Sequence, residues 1–144
     1  MNRKIYLCLL SLVIGLLQGC PKPTIIEIYN NSGQPVSVLA ASGEKVWNTG
    51  EQLSLQQGSD FFVWAQIGDH RVPFLHFNIN GTEFAFRMNY LMPPAWQSGM
   101  SHRLQLERDG KLYAVLPMDA FPAKISAQPS GFPLTAGSAV RVQR

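Results

Sequence analysis

Pro73-Phe74-Leu75-His76-Phe77-Asn78-Ile79-Asn80-Gly81-Thr82-Glu83-Phe84-Ala85-Phe86-Arg87-Met88 alternates large apolar residues with others on both sides of Asn80-Gly81. A two-residue type I′ turn needs positive φ at both central positions, which Asn and Gly adopt most readily. Closing the chain there pairs Ile79 with Thr82, Phe77 with Phe84, Leu75 with Phe86 and Pro73 with Met88 on one face. The other face takes His76, Asn78, Glu83, Ala85, Arg87 and Asn89. Turn chemistry, register and binary pattern agree on a core hairpin with a solvated back.

The same texture extends outward. Short apolar runs at residues 24–29, 36–40, 46–47 and 53–55 are broken by Asn30-Asn31-Ser32-Gly33, Ser42-Gly43, Thr49-Gly50 and Gln57-Gly58-Ser59. Turn signals recurring every 8–12 residues between such runs mark an antiparallel sandwich or barrel. Asp109-Gly110 predicts a second tight hairpin, with Leu106 opposite Tyr113, Leu104 opposite Val115, and Gln105 and Glu107 facing away. Residues 61–67 are more continuously apolar and are expected at the centre of the sandwich. The fold class is therefore all-β: a small antiparallel β-sandwich, immunoglobulin- or transthyretin-like in outline, over residues 24–116. Pro117, Pro122, Pro129 and Pro133 interrupt pairing beyond it. Residues 117–144 are expected as a surface extension, its phenylalanines tacked to the sheet and a last edge strand at 139–142.

Residues 1–19 have the layout of a secretory signal, with Arg3 and Lys4 ahead of a mostly apolar segment at 5–17. At helical rise that segment spans roughly 20 Å, short of the ~30 Å hydrocarbon core. Leu17 at −3 is too bulky for ordinary signal cleavage before Cys20. Leu17-Gln18-Gly19-Cys20 resembles the lipobox of bacterial lipoprotein precursors. The resemblance implies cleavage before Cys20, acyl chains on that cysteine, a short tether at 20–23, and a domain held close to a bilayer. In such proteins aspartate after the cysteine commonly retains them at the inner membrane. Pro21 lacks that signal, so the outer membrane is expected if the cell is Gram-negative, with the domain facing the periplasm.

Removing the leader takes Cys8 with it and leaves no disulfide for the domain to form. It also removes two of 12 basic residues, leaving ten against nine acidic ones, a net charge of +1. Without a cationic block, nucleic-acid binding is not expected.

Catalytic motifs are scarce. His70, His76 and His102 lack the close ligand spacing of a metal site and are expected at surface or edge positions. Ser32, Ser42, Ser98 and Ser130 stand beside turn glycines, and no Gly-x-Ser-x-Gly elbow occurs. Asp60, Asp69 and Asp109 fall beside glycines or turns rather than as a carboxylate pair. Neither cofactor nor metal is called for, and the chain reads as non-enzymatic.

Pro93 and Pro94, ahead of Trp96, form a stiff apolar loop suited to anchoring a partner protein. The alternative is a plug closing one end of the sandwich. Strands at 24–30 or 139–142 would offer edges for strand addition. The expected role is a lipid-anchored envelope scaffold or accessory factor acting through Cys20 and protein contacts. Two other roles stay open: a β-sandwich lipoprotein of a type VI-like secretion apparatus, and a periplasmic small-ligand or glycan carrier with a cavity between its sheets.

Overall fold

A computed structural model of the chain describes residues 23–40, 42–56 and 59–137. Two five-stranded sheets face each other across one apolar core. The described residues form strands and turns, with a single 3-10 turn at Pro94–Trp96 and no α-helix.

The first sheet contains β1 (Ile25–Asn30), β4 (Gln52–Gln56), β8 (Gln97–Ser98), β9 (Ser101–Leu106) and β10 (Leu112–Ala114), in the order β10-β9-β1-β4 with β8 beside β9. The second contains β2 (Val36–Ala40), β3 (Gly43–Trp47), β5 (Phe62–Ile67), β6 (His70–Ile79) and β7 (Thr82–Arg87). The ten-residue β6 organises this second sheet. Phe74 and Leu75 pair with both β5 and β7, while His76, Phe77 and Asn78 pair with both β2 and β7. Thus β2 and β5 follow one another along one edge of β6, and β7 occupies the other.

The hairpin at Asn80-Gly81 has the expected register, with Ile79 opposite Thr82, Phe77 opposite Phe84 and Leu75 opposite Phe86. The Met88 amide continues the ladder by donating to the Pro73 carbonyl at 2.8 Å. Both turn residues have positive φ, 51° at Asn80 and 79° at Gly81, as a type I′ turn demands. Inward residues alternate along both sheets. Ile26, Ile28, Leu53, Leu55, Leu104 and Leu106 meet Val36, Val38, Trp47, Leu75, Phe77 and Phe86. Tilted aromatic contacts run from Trp47 to Phe77 at 5.6 Å and on to Phe86 at 5.5 Å.

The small all-β sandwich is as expected, and its strand pairs are antiparallel but for one, while five finer expectations need correction. First, β1 pairs in parallel with β9, Ile25 opposite Ser101, so the sandwich is not wholly antiparallel. A parallel pair needs a long crossover, and the intervening chain supplies one by building the whole second sheet. Second, the same pairing puts β1 between β9 and β4, so residues 24–30 offer no free edge. Third, β5 is an edge strand rather than a central one. Its neighbour is β6 alone, and Trp64 and Ile67 are 42% and 41% exposed.

Fourth, the hairpin at Asp109-Gly110 is shifted by one residue: Leu106 faces Leu112, and Leu104 faces Ala114. Glu107 N–H donates to the Lys111 carbonyl at 3.0 Å, so the loop holds three residues, ending on Gly110 at φ 74°. A three-residue loop with a left-handed glycine at its end competes with the two-residue turn for an Asp-Gly sequence. The shift turns Tyr113 away from the core, where its hydroxyl donates to Asp109 Oδ2 at 2.8 Å. Fifth, the back of the core hairpin is not wholly solvated. Val72, Phe74 and Ala85 form a second buried cluster, and His76 is buried beside Phe74 with its Nδ1 2.7 Å from Glu83 Oε1.

The segment after β10 runs without regular strands to residue 137, touching both sheets. Leu134 and Leu112 exchange backbone hydrogen bonds of 3.0 and 2.8 Å along the outer edge of β10. The Gln128 amide does the same for Ala114, accepting from its N–H at 2.8 Å and donating to its carbonyl at 3.1 Å. Farther on, Gly137 N–H donates to the Ala85 carbonyl of β7 at 2.9 Å. The extension thereby occupies an edge of each sheet, which unpaired strands would otherwise present to other chains. The edge strand expected at 139–142 lies outside the described residues.

Candidate functional site

The loop from Tyr90 to Trp96 leaves β7 and enters β8. Trp96 N–H donates to the Pro93 carbonyl at 2.9 Å, closing a 3-10 turn whose first residue is Pro94. Proline suits that first position because its missing N–H would have had no partner there. Trp96 is half-buried and packs against the core cluster, whereas Pro94 and Ala95 are exposed and Pro93 is intermediate. Met92 is buried, its carbonyl accepting from the Gln97 amide, while the adjacent Leu91 is 89% exposed. Pro93, Pro94 and Trp96 therefore stand together at one end of the sandwich, with the indole turned partly into the plug position. Cys20 lies outside the described residues.

Beside this loop sits an aromatic group not singled out from the sequence. The Tyr90 ring lies 5.6 Å from that of His102 and meets Phe132 edge-on at 5.2 Å. The Tyr90 hydroxyl and His102 Nδ1 are 3.2 Å apart. Burial raises the Tyr90 hydroxyl above its ordinary value of 10.0 and lowers His102 below 6.5. Both effects favour a neutral pair in which the hydroxyl donates and the imidazole accepts. No third polar side chain among the described residues joins them by hydrogen bond, so this is a packed pair rather than a relay. Its sequence signal was weak, because Tyr90 and His102 stand in different segments.

On the outer face of the first sheet, Arg103 organises the extension. Its Nη1 donates to the carbonyls of Leu116, Pro117 and Asp119 at 3.1, 3.0 and 2.6 Å. Its Nε lies 3.3 Å from Glu27, and the guanidinium sits 4.2 Å from the Phe121 ring centre. Phe121 in turn stacks on Tyr29 at 5.1 Å, nearly parallel. Its charge, Nε and Nη1 are engaged by the chain itself, which makes it a clasp for the extension rather than an open anion site.

Histidines 70, 76 and 102 do not converge. His70 starts β6 in an exposed position, His76 is held by Glu83, and His102 by Tyr90. No group of three or more His, Cys, Asp or Glu among the described residues is arranged to hold a metal ion. No helix among them is long and apolar enough to cross a membrane. Comparison of the chain with protein-family models, curated proteins and solved structures finds no match.

Proposed function

We propose that the protein is a lipid-anchored bacterial envelope lipoprotein, and that its β-sandwich serves as a non-enzymatic scaffold or accessory factor through protein contacts. The observation that carries this reading is Leu17-Gln18-Gly19-Cys20 at the end of a 13-residue mostly apolar run. That run is too short for a spanning helix and wrongly flanked for ordinary cleavage. The folded part supports it in two ways. Its first strand begins at Ile25, so the domain starts almost at the anchor. Trp47, Phe77, Phe86 and the facing leucines are buried together in one cluster between its sheets, as the core of a scaffold would be.

In this reading Trp96, Pro93 and Pro94 present a stiff apolar rim to a partner protein at the membrane surface. Intact mass measurement of the membrane-extracted protein tests the anchor. The expected mass corresponds to cleavage before Cys20 plus acyl chains, and an unmodified full-length mass overturns it. Crosslinking from the same preparation tests the scaffold role. Reproducible envelope-protein adducts that diminish in the Trp96→Ala variant support it, and adducts unaffected by that change remove Trp96 from the contact.

A further inference from the structure

Seven large apolar residues are exposed among the described residues, and four gather where β1 begins. Ile25, the first residue of that strand, is 41% exposed. Its amide donates to the Met100 carbonyl at 3.0 Å, and Met100, in the turn between β8 and β9, is 48% exposed. Leu91 is bracketed by Tyr90, whose hydroxyl reaches His102, and Met92, whose carbonyl is held by Gln97. His102 and Gln97 are register partners, and His102 is also the partner of Ile26, so Leu91 belongs to the same end of the sandwich. Met118 is 93% exposed, and it stands between Pro117 and Asp119, whose carbonyls are clasped by Arg103. All four are thus tied to the first three residues of β9 and the start of β1.

The covalent chain fixes what lies near this end. Five Cα steps separate Cys20 from Ile25, a reach of at most about 18 Å however the tether is arranged. A lipidated Cys20 has its acyl chains within the bilayer, so the Ile25 end cannot stand farther away than that reach. Exposed apolar side chains held so near a lipid surface gain by entering the boundary between headgroups and acyl chains. We propose that the end carrying Ile25, Leu91, Met100 and Met118 rests on the bilayer surface. The opposite end, marked by Val46 on β3 and the Asn80-Gly81 turn, then points away from the membrane. This inference rests on the lipid-anchor reading of Cys20 and adds an orientation to it.

The test uses the acylated mature protein in vesicles of phosphatidylethanolamine and phosphatidylglycerol. With Cys20 acylated and Cys8 removed with the leader, a thiol introduced by Met118→Cys or, separately, Val46→Cys is the one free site for a nitroxide label. Both positions are exposed, so the fold tolerates the label, and Leu91→Cys repeats the first measurement independently. The expected result is a severalfold lower collision rate with a water-soluble nickel chelate at 118 and 91 than at 46, with a higher rate for oxygen. Equal nickel accessibility at all three positions in a sample whose mass shows the acyl chains overturns the docked orientation and leaves the anchor standing. A mass without acyl chains overturns the anchor and the orientation together.

Discussion

The side-chain amide of Gln105 pairs with both backbone groups of Ala123: Oε1 accepts from the Ala123 N–H at 2.7 Å, and Nε2, which also donates to Glu107 Oε1 at 2.5 Å, donates to its carbonyl at 2.9 Å. Gln105 faces away from the core, as alternation along β9 requires, yet it is fully buried. The extension is what buries it. The side chain behaves as a short piece of strand, offering the passing chain one acceptor and one donor where the sheet face has none.

Gln105→Ala leaves both Ala123 groups without partners in a buried setting. A loss of about 2 kcal/mol or more follows, since two buried polar groups are left unsatisfied at about 1–3 kcal/mol each. Urea unfolding measures it through the midpoint at constant slope. Limited proteolysis adds a spatial readout, because cleavage within 117–137 should quicken before the sandwich itself unfolds. A midpoint unchanged by the substitution would show that water substitutes freely for the amide.

Asn30 carries more bonds than any other buried polar side chain described. Its Nδ2 donates to the carbonyls of Gln34 and Trp47 at 3.0 and 3.1 Å, and its Oδ1 accepts from the Ser32 amide and hydroxyl at 3.0 and 2.6 Å. Asn30→Ala should destabilise the domain by about 3 kcal/mol, and Ser32→Ala by about 1 kcal/mol, because only the former strands several buried groups. Thermal unfolding of the two variants side by side checks the order. Equal effects would mean that the Trp47 carbonyl finds another donor.

Trp96 is packed against the core on one side and open on the other. Trp96→Ala should therefore cost about 1–2 kcal/mol, below the 3–5 kcal/mol of a fully buried aromatic. Calorimetry gives the value. A loss at the fully buried level would make the residue a plug and leave little of it for recognition.

Tyr90 and His102 together set a pH window. Burial lowers His102 below 6.5, so the unfolded chain binds the proton more readily, and stability falls as pH drops from about 7 toward the folded value. Burial raises Tyr90 above 10.0, so the unfolded chain loses its proton first, and stability falls as pH rises past that value. The melting temperature should form a plateau between these limits. His102→Gln should flatten the acid shoulder between pH 7 and 5, above the range where ordinary carboxylates titrate, and leave the alkaline one intact. An unchanged acid shoulder would assign that loss to another group.

Much of the second sheet was legible because its signals are local. Asn80-Gly81 dictates positive φ, and the residues on either side repeat with period two, so one turn fixes the register of sixteen residues. Asp109-Gly110 is ambiguous in the same vocabulary: two loop lengths suit it, and their difference moves every partner by one. The parallel pairing of β1 with β9 has no local signal at all. Apolar alternation at Ile26 and Ile28 says which face is inward but not which strand lies alongside. The burial of Gln105 and His76 escaped for a related reason. Polarity marks each as outward, and both are, but outward is not solvated where other chain packs on the sheet. At the candidate site, the stiffness of Pro93-Pro94 ahead of Trp96 is a local signal. Tyr90, His102 and Phe132 come from three distant segments and became a group only through folding.

The pairing of β1 with β9 also orders events in time. Ile25 meets Ser101, and Asn30 meets Leu106, across a stretch that contains every strand of the other sheet. A chain delivered from its N-terminus presents β1 first and cannot finish the sheet around it until residue 106 has arrived. Contacts so distant in sequence close slowly. For that interval β1 keeps open the flank that β9 will cover. The earliest strand of the sandwich to emerge is among the last to be locked, which makes it the point at which a helper acting on the newborn chain would do most.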